Sequence, residues 1–141
     1  MVTERKEDYL EAIHSIILQK GYAKVKDVAD MLHVAPSSVT EMFIKLQKQD
    51  LIFYERYSGV TLTQRGKTVA IKTQQKHDTL VQFLQIIGVP YDIANQDACR
   101  IEHVVNKETM KRLRNFVEFA QQTDEIPQWL QGFKDYSENK K

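Results

Sequence analysis

The sequence predicts a mainly α fold with one small β-hairpin, and three observations lead there. Apolar residues recur at helical spacing through most of the 141 residues. Only residues 51–63 break that period, with two short β-prone runs around a glycine. Hydrophobic residues make up 42% and charged residues 28%, the balance of a chain that folds throughout.

Taken in order, Thr3 suits the N-cap of a helix running to residue 19, whose Tyr9, Leu10, Ile13, Ile16 and Ile17 share one face before Gly21 ends it. A short helix over 26–32 turns Val28, Ala29 and Leu32 inward. After a break at 33–35, Pro36 opens a second helix to residue 49 with Val39, Met42, Phe43 and Leu46 as its apolar face. Ala29 is small enough for the two helices to cross closely, while Val34 and Val39 fill the space between them. Residues 51–55 and 60–63 read as strands around a loop at 56–59, where Gly59 supplies the unusual dihedrals. Two short helices at a tight turn followed by a hairpin make the winged helix-turn-helix arrangement. Position 33, often glycine in such turns, is His33.

Thr63 then caps a long helix over 64–88 that carries Val69, Ala70, His77, Leu80, Val81 and Leu84. Pro90 marks a boundary. Beyond it come a helix over 93–105, a second capped by Asn106 with Met110, Leu113, Phe116, Val117 and Ala120 inward, and a last short one opened by Pro127. The expected domains are 1–72, the winged helix-turn-helix, and 73–141, all helical, with the long helix linking them.

The length excludes a large barrel enzyme. No apolar run reaches the roughly 18 residues of a membrane span, and Thr3, Glu4, Arg5 and Lys6 are no signal-peptide start. A single cysteine, Cys99, excludes an internal disulfide framework. These features predict a cytoplasmic protein with no membrane partner.

Net charge is only +1, but it is unevenly spread. Residues 20–72 hold nine basic and five acidic groups, against two and four in 1–19 and nine and ten in 73–141. A basic middle on a helix-turn-helix points to double-stranded operator DNA. The second helix turns Ser37, Ser38, Thr40, Glu41 and Lys45 outward, where they can enter a major groove, and Lys24, Lys26, Lys48, Arg56 and Lys67 can neutralise phosphates. The contact set expected is Lys26, Pro36, Ser37, Ser38, Thr40, Glu41, Lys45, Arg56 and Tyr57. No arginine lies on the reading face, so recognition leans on Ser, Thr and Lys45 contacts and on DNA shape. The plainer alternative is a small helical bundle with solvated lysines.

A second constellation suggests a metal. Asp8 and Glu11 lie three apart on the first helix. Cys99, Glu102 and His103, at i, i+3 and i+4, share a helix face opposite Ala94, Ala98, Ile101 and Val105. His77 sits on the apolar side of the long helix, where an imidazole needs a hydrogen-bond partner or an ion. Singly, these are an ordinary solvated pair, a packed thiol and a satisfied core histidine. Together, six O, N and S donors suit a divalent transition metal.

At these positions the chain resembles the diphtheria-toxin-repressor family of metal-dependent transcription regulators, in its manganese-transport-regulator branch. The resemblance is carried by EDYLEAI at 7–13, KGYAKVKDVAD at 20–30, VAPSSVTEM at 34–42, LIFYERYSGVTLTQRG at 51–66, His77, LVQFLQIIGV at 80–89 and IEH at 101–103. It implies a winged-helix domain, an all-helical dimerisation domain, a homodimer, and the absence of the SH3-like domain of iron-responsive members. It places ligands on Asp8, Glu11, His77, Glu102 and His103. Where that branch has Glu, this chain has Cys99, as in the iron-responsive branch, which in turn has Met where this chain has Asp8. The implied site is therefore a hybrid, with one bridging carboxylate fewer for a second ion. The implied function is a metal-activated repressor controlling metal uptake, with Mn(II) or Fe(II) as co-repressor and other divalent transition metals as alternatives. A thiolate at 99 would shift preference toward softer ions.

Two rivals come from other classes. A metal-independent winged-helix regulator would bind DNA regardless of chelator. A metalloenzyme would use Glu11 or Glu102 as general base, but no pocket glycines or oxyanion donors accompany them, so neither catalysis nor a small-molecule substrate is expected.

Overall fold

The computed structural model describes residues 2–122 and 125–140. Its chain divides into two units, Met1–Gln74 and Gln75–Lys141.

In the first unit, helix boundaries follow their caps. Helix α1 (Glu4–Lys20) starts where the Thr3 hydroxyl accepts from Lys6 N, and stops at Gly21, whose φ of 86° lets its N–H reach Ile17 O. Helix α2 (Val25–Leu32) is held by Asp27, whose carboxylate accepts from Lys24 N at 3.0 Å and from Lys20 Nζ at 2.8 Å. It ends at His33, which takes the left-handed conformation at φ 56° in place of glycine, at a cost of about 1–2 kcal/mol. Helix α3 (Pro36–Lys48) ends one residue earlier than expected, because Asp50 turns to φ 60° and Leu51 N bonds back to Leu46 O.

Strands β1 (Ile52–Glu55) and β2 (Gly59–Leu62) pair antiparallel, Ile52 with Leu62 and Tyr54 with Val60. Val60 N also donates to Ala23 O at 2.8 Å, which pins the hairpin beside α2. This contact decides Gly59: its φ is 100°, and a Cβ there would come within 2.6 Å of Ala23 O. Thr63 closes the hairpin, donating to Asp50 O and accepting from Gly66 N at the start of helix α4 (Gln64–Ile86). A Cβ on Gly66 would overlap the Leu51 carbonyl oxygen.

The core of this unit joins Tyr9, Leu10, Ile13 and Ile16 of α1 to Val28 and Ala29 of α2, Val39, Phe43 and Leu46 of α3, and Leu51, Ile52, Val60 and Ala70. Phe43 meets Tyr54 edge to face at 5.2 Å. Each large side chain so buried contributes about 1.5–3 kcal/mol. The expected mainly α fold with a β-wing is the one found.

In the second unit, α4 ends at Ile86 rather than 88, since Gly88 (φ 102°) lies beyond the helix and Val89 N closes back to Leu84 O. Helix α5 (Tyr91–Ile101) starts directly after Pro90 and stops four residues before the expected 105. Val104 N and Val105 N both bond to Ile101 O, forming a turn before Asn106 caps helix α6 (Lys107–Ala120) by accepting from Glu108 N. Helix α7 (Gln128–Asn139) runs twelve residues, longer than expected. Leu80, Val81, Ala94, Ala98 and Met110 form the core. Phe83, Phe116, Trp129 and Phe119 make a chain of ring contacts at 5.7–6.1 Å. Among the described residues, no helix is long and apolar enough to cross a membrane.

Candidate metal centre and nucleic-acid interface

The early end of α5 changes the expected position of its ligands. Glu102 is the C-cap of α5, still helical at φ −55° with its N–H on Ala98 O, and His103 follows in the turn; at only 2% exposed, Glu102 does not lie on an outward face. A carboxylate buried that far requires partners. Its Oε2 lies 2.8 Å from His77 Nδ1 and its Oε1 3.4 Å from His103 Nε2, so one carboxyl group sits between two imidazoles. Cys99 stays on α5 as an exposed residue, its Sγ 3.8 Å from His77 Nδ1. The other face of His77 is occupied, with Nε2 2.7 Å from Asn95 Oδ1.

The second unit thus brings together His77, Cys99, Glu102 and His103. Two imidazole nitrogens, a carboxylate and a thiol are donors suited to a divalent transition metal. Asp8 and Glu11 lie on α1 in the first unit, both half-buried.

On the DNA side, Pro36, Ser37, Glu41 and Lys45 are exposed along α3, with Ser38 and Thr40 half-buried. Thr40 spends its proton inside the helix, donating to Pro36 O at 3.2 Å, which leaves an acceptor for a base edge. Lys26 is exposed on α2. In the wing, Tyr57 is 87% exposed and the Arg56 guanidinium lies 5.6 Å from its ring centroid. Gln47 Oε1 accepts from Tyr54 N at 2.7 Å, fastening α3 to the wing, and Arg65 donates to Gln49 O at the C-terminal end of α3.

Residues 1–60 match the family model described as iron dependent repressor, N-terminal DNA binding domain, and residues 63–128 match its metal binding and dimerisation domain. The chain belongs to the iron-dependent repressor family. Members of this family are transcriptional regulators and not enzymes. Over 125 residues the chain is 42% identical to the HTH-type transcriptional regulator MntR of Bacillus pumilus (strain SAFR-032), covering 89% of this chain and 87% of that one. Its fold is similar to T. acidophilum IdeR, with TM-score 0.70 and 28% identity over 86% of this chain and 56% of the other. A manganese-dependent transcriptional repressor solved in complex with manganese gives TM-score 0.72 and 28% identity, over 82% and 53%. The chain spans a little over half the length of these two solved repressors.

Two residues of this repressor-family chain escaped the sequence reading. Ile44 is 47% exposed on α3, three residues after Glu41 and seven after Ser37, and can meet a thymine methyl. Helical spacing could have found it, but an isoleucine beside Phe43 reads as core. Asn95 precedes Cys99 by four residues and the α5 cap Glu102 by seven, positions that share one helical stripe. An amide carries no ligand signal of its own.

Proposed function

We propose that this protein is a cytoplasmic, homodimeric, metal-activated repressor that binds operator DNA when Mn(II) or Fe(II) occupies its site, and so controls metal uptake. The observation that carries the reading is the buried Glu102 carboxylate between His77 and His103, in a chain of the iron-dependent repressor family. A divalent ion would supply there the positive charge that a buried carboxylate and two neutral imidazoles accommodate. Asp8 and Glu11 join the ligand set on the sequence resemblance, and Cys99 on its position beside His77 Nδ1.

With Asp8 and Glu11 on α1 and the other ligands in the second unit, occupancy is coupled to the placement of the two recognition helices of the dimer. Operator binding requires these to fit successive major grooves. Moving a dimer from mostly incompetent to mostly competent takes a differential affinity of up to about 5.5 kcal/mol. Ser37, Ser38, Thr40, Glu41 and Lys45 read base edges, Pro36 sets the start of the helix, and Lys26, Arg56 and Tyr57 hold the backbone.

The test is an operator duplex titrated with protein in chelator and then with Mn²⁺, Fe²⁺, Co²⁺ and Zn²⁺ in turn. Affinity is expected to rise with Mn²⁺ or Fe²⁺. Arg56→Ala is expected to weaken binding to every sequence and lower the salt slope by about one, whereas alanine at Ser37 and Ser38 weakens specific binding only. Operator affinity indifferent to chelator would return the chain to the metal-independent reading.

A further inference from the structure

We propose that Asn95 is a positioning residue for His77: its side-chain carbonyl holds the Nε2 proton, so that Nδ1 is the nitrogen presented to a metal ion. The inference rests on the metal reading above and deepens it.

A neutral imidazole carries one proton, and either nitrogen can hold it. The surroundings of His77 are not symmetric. Nδ1 faces Glu102 Oε2 at 2.8 Å and Cys99 Sγ at 3.8 Å, the groups that would share an ion. Nε2 faces Asn95 Oδ1 at 2.7 Å, and a carbonyl oxygen can only accept. Both partners accept, so what separates the two nitrogens is the ion: one bound at Nδ1 beside Glu102 and Cys99 would take that lone pair and leave the ring's proton on Nε2, where Asn95 Oδ1 is placed to accept it. Half-burial of Asn95 keeps water from replacing this bond cheaply. The spacing 95, 99, 102 lets one helix and the turn after it deliver both the orienting group and two ligand candidates.

Orienting partners of this kind are worth about 10–100-fold in metal affinity. Their chemistry also separates acceptor from volume. Asn95→Leu keeps the size and removes the carbonyl, while Asn95→Asp keeps an acceptor at the same reach.

The experiment uses the full chain, labelled with ¹⁵N-histidine and titrated with Zn²⁺ against a competing chelator dye. In the unsubstituted protein, Zn²⁺ is expected to shift the Nδ1 resonance of His77 while Nε2 keeps a slowly exchanging proton. Asn95→Leu is expected to lose about 10–100-fold in Zn²⁺ affinity and to lose that slow proton. Asn95→Asp retains most of both. If Asn95→Leu does not fold, judged by its thermal transition, Asn95→Ala against Asn95→Asp makes the same comparison. Unchanged affinity and an unchanged Nε2 proton without the carbonyl would overturn the role of Asn95 and leave the metal reading standing. No Zn²⁺, Mn²⁺ or Co²⁺ binding by the unsubstituted protein would remove the metal reading, and Asn95's role with it.

Discussion

Among the described residues, Met1–Gln74 encloses Tyr9, Phe43, Leu10, Ile13, Leu46, Leu51 and Ile52 almost completely, whereas Gln75–Lys141 encloses polar groups to the same degree, the Glu102 and His103 side chains, each 1% exposed. The apolar core of the second unit is built on Leu80, Val81, Met110 and the small Ala94 and Ala98, while Tyr91, Phe119, Trp129 and Tyr136 are left substantially exposed. The difference teaches a division of labour. A winged helix-turn-helix must hold a rigid reading face, and a thick apolar core does that at any metal concentration. The second unit instead encloses a carboxylate between two imidazoles, whereas exposed large apolar side chains, Phe53 and Tyr57 in the first unit and Tyr91 and Tyr136 in the second, are common to both.

The largest expected effect tests the thickness of the cores. Phe43→Ala opens a cavity under both α3 and the wing and is expected to cost about 3–5 kcal/mol, while Leu80→Ala, whose neighbours Leu84 and Leu113 lie partly at the surface, should cost about 2 kcal/mol. Urea unfolding of the two variants gives the numbers. A Leu80→Ala loss as large as that of Phe43→Ala would end the contrast.

The next effect should be the same in both units, because capping is local. Thr3→Ala and Asn106→Ala each remove one side-chain acceptor from a helix N-terminus and are expected to cost about 1 kcal/mol apiece. Thermal unfolding of each variant checks this. Unequal losses would mean that the units differ in more than their cores.

The smallest effect concerns the exposed pair Lys20 and Asp27. The hydrogen bond from Lys20 holds the Asp27 carboxyl below its ordinary 3.8, and the pair raises Lys20 above 10.5. The Asp27 contribution is therefore present above its unfolded value and lost as pH falls through the folded one. The Lys20 contribution is lost as pH rises through its folded value. Lys20→Ala is expected to return the Asp27 carboxyl toward 3.8 in an NMR titration, with a small loss of stability at neutral pH that disappears in acid.

What could be read from the sequence follows the same contrast. The α1 stripe, the Pro36 start and the Gly59 hairpin were legible because each rests on local periodicity or on a residue with one conformational use. The end of α5 was not, since the period continues through Ile101 and Val105 while the backbone leaves the helix after Glu102 to reach the Asn106 cap. The residue types of the candidate site were visible at 77, 99, 102 and 103, but the buried contact of Glu102 is with His77, 25 residues away. The hydrogen bond from His77 to Asn95 spans eighteen residues, which no local pattern encodes.

The contact at Gly66 reaches beyond energetics to inheritance. The first turn of α4 lies so close to the Leu51 carbonyl that a single added carbon collides with backbone, and backbone has no rotamer to yield. Every amino acid other than glycine carries that carbon, so each missense change in this codon brings the same collision and only synonymous changes leave the joint intact. Gly132, with nothing within 4 Å of an added Cβ, is free to drift. Two codons for one residue type, in one chain, thus accept very different histories.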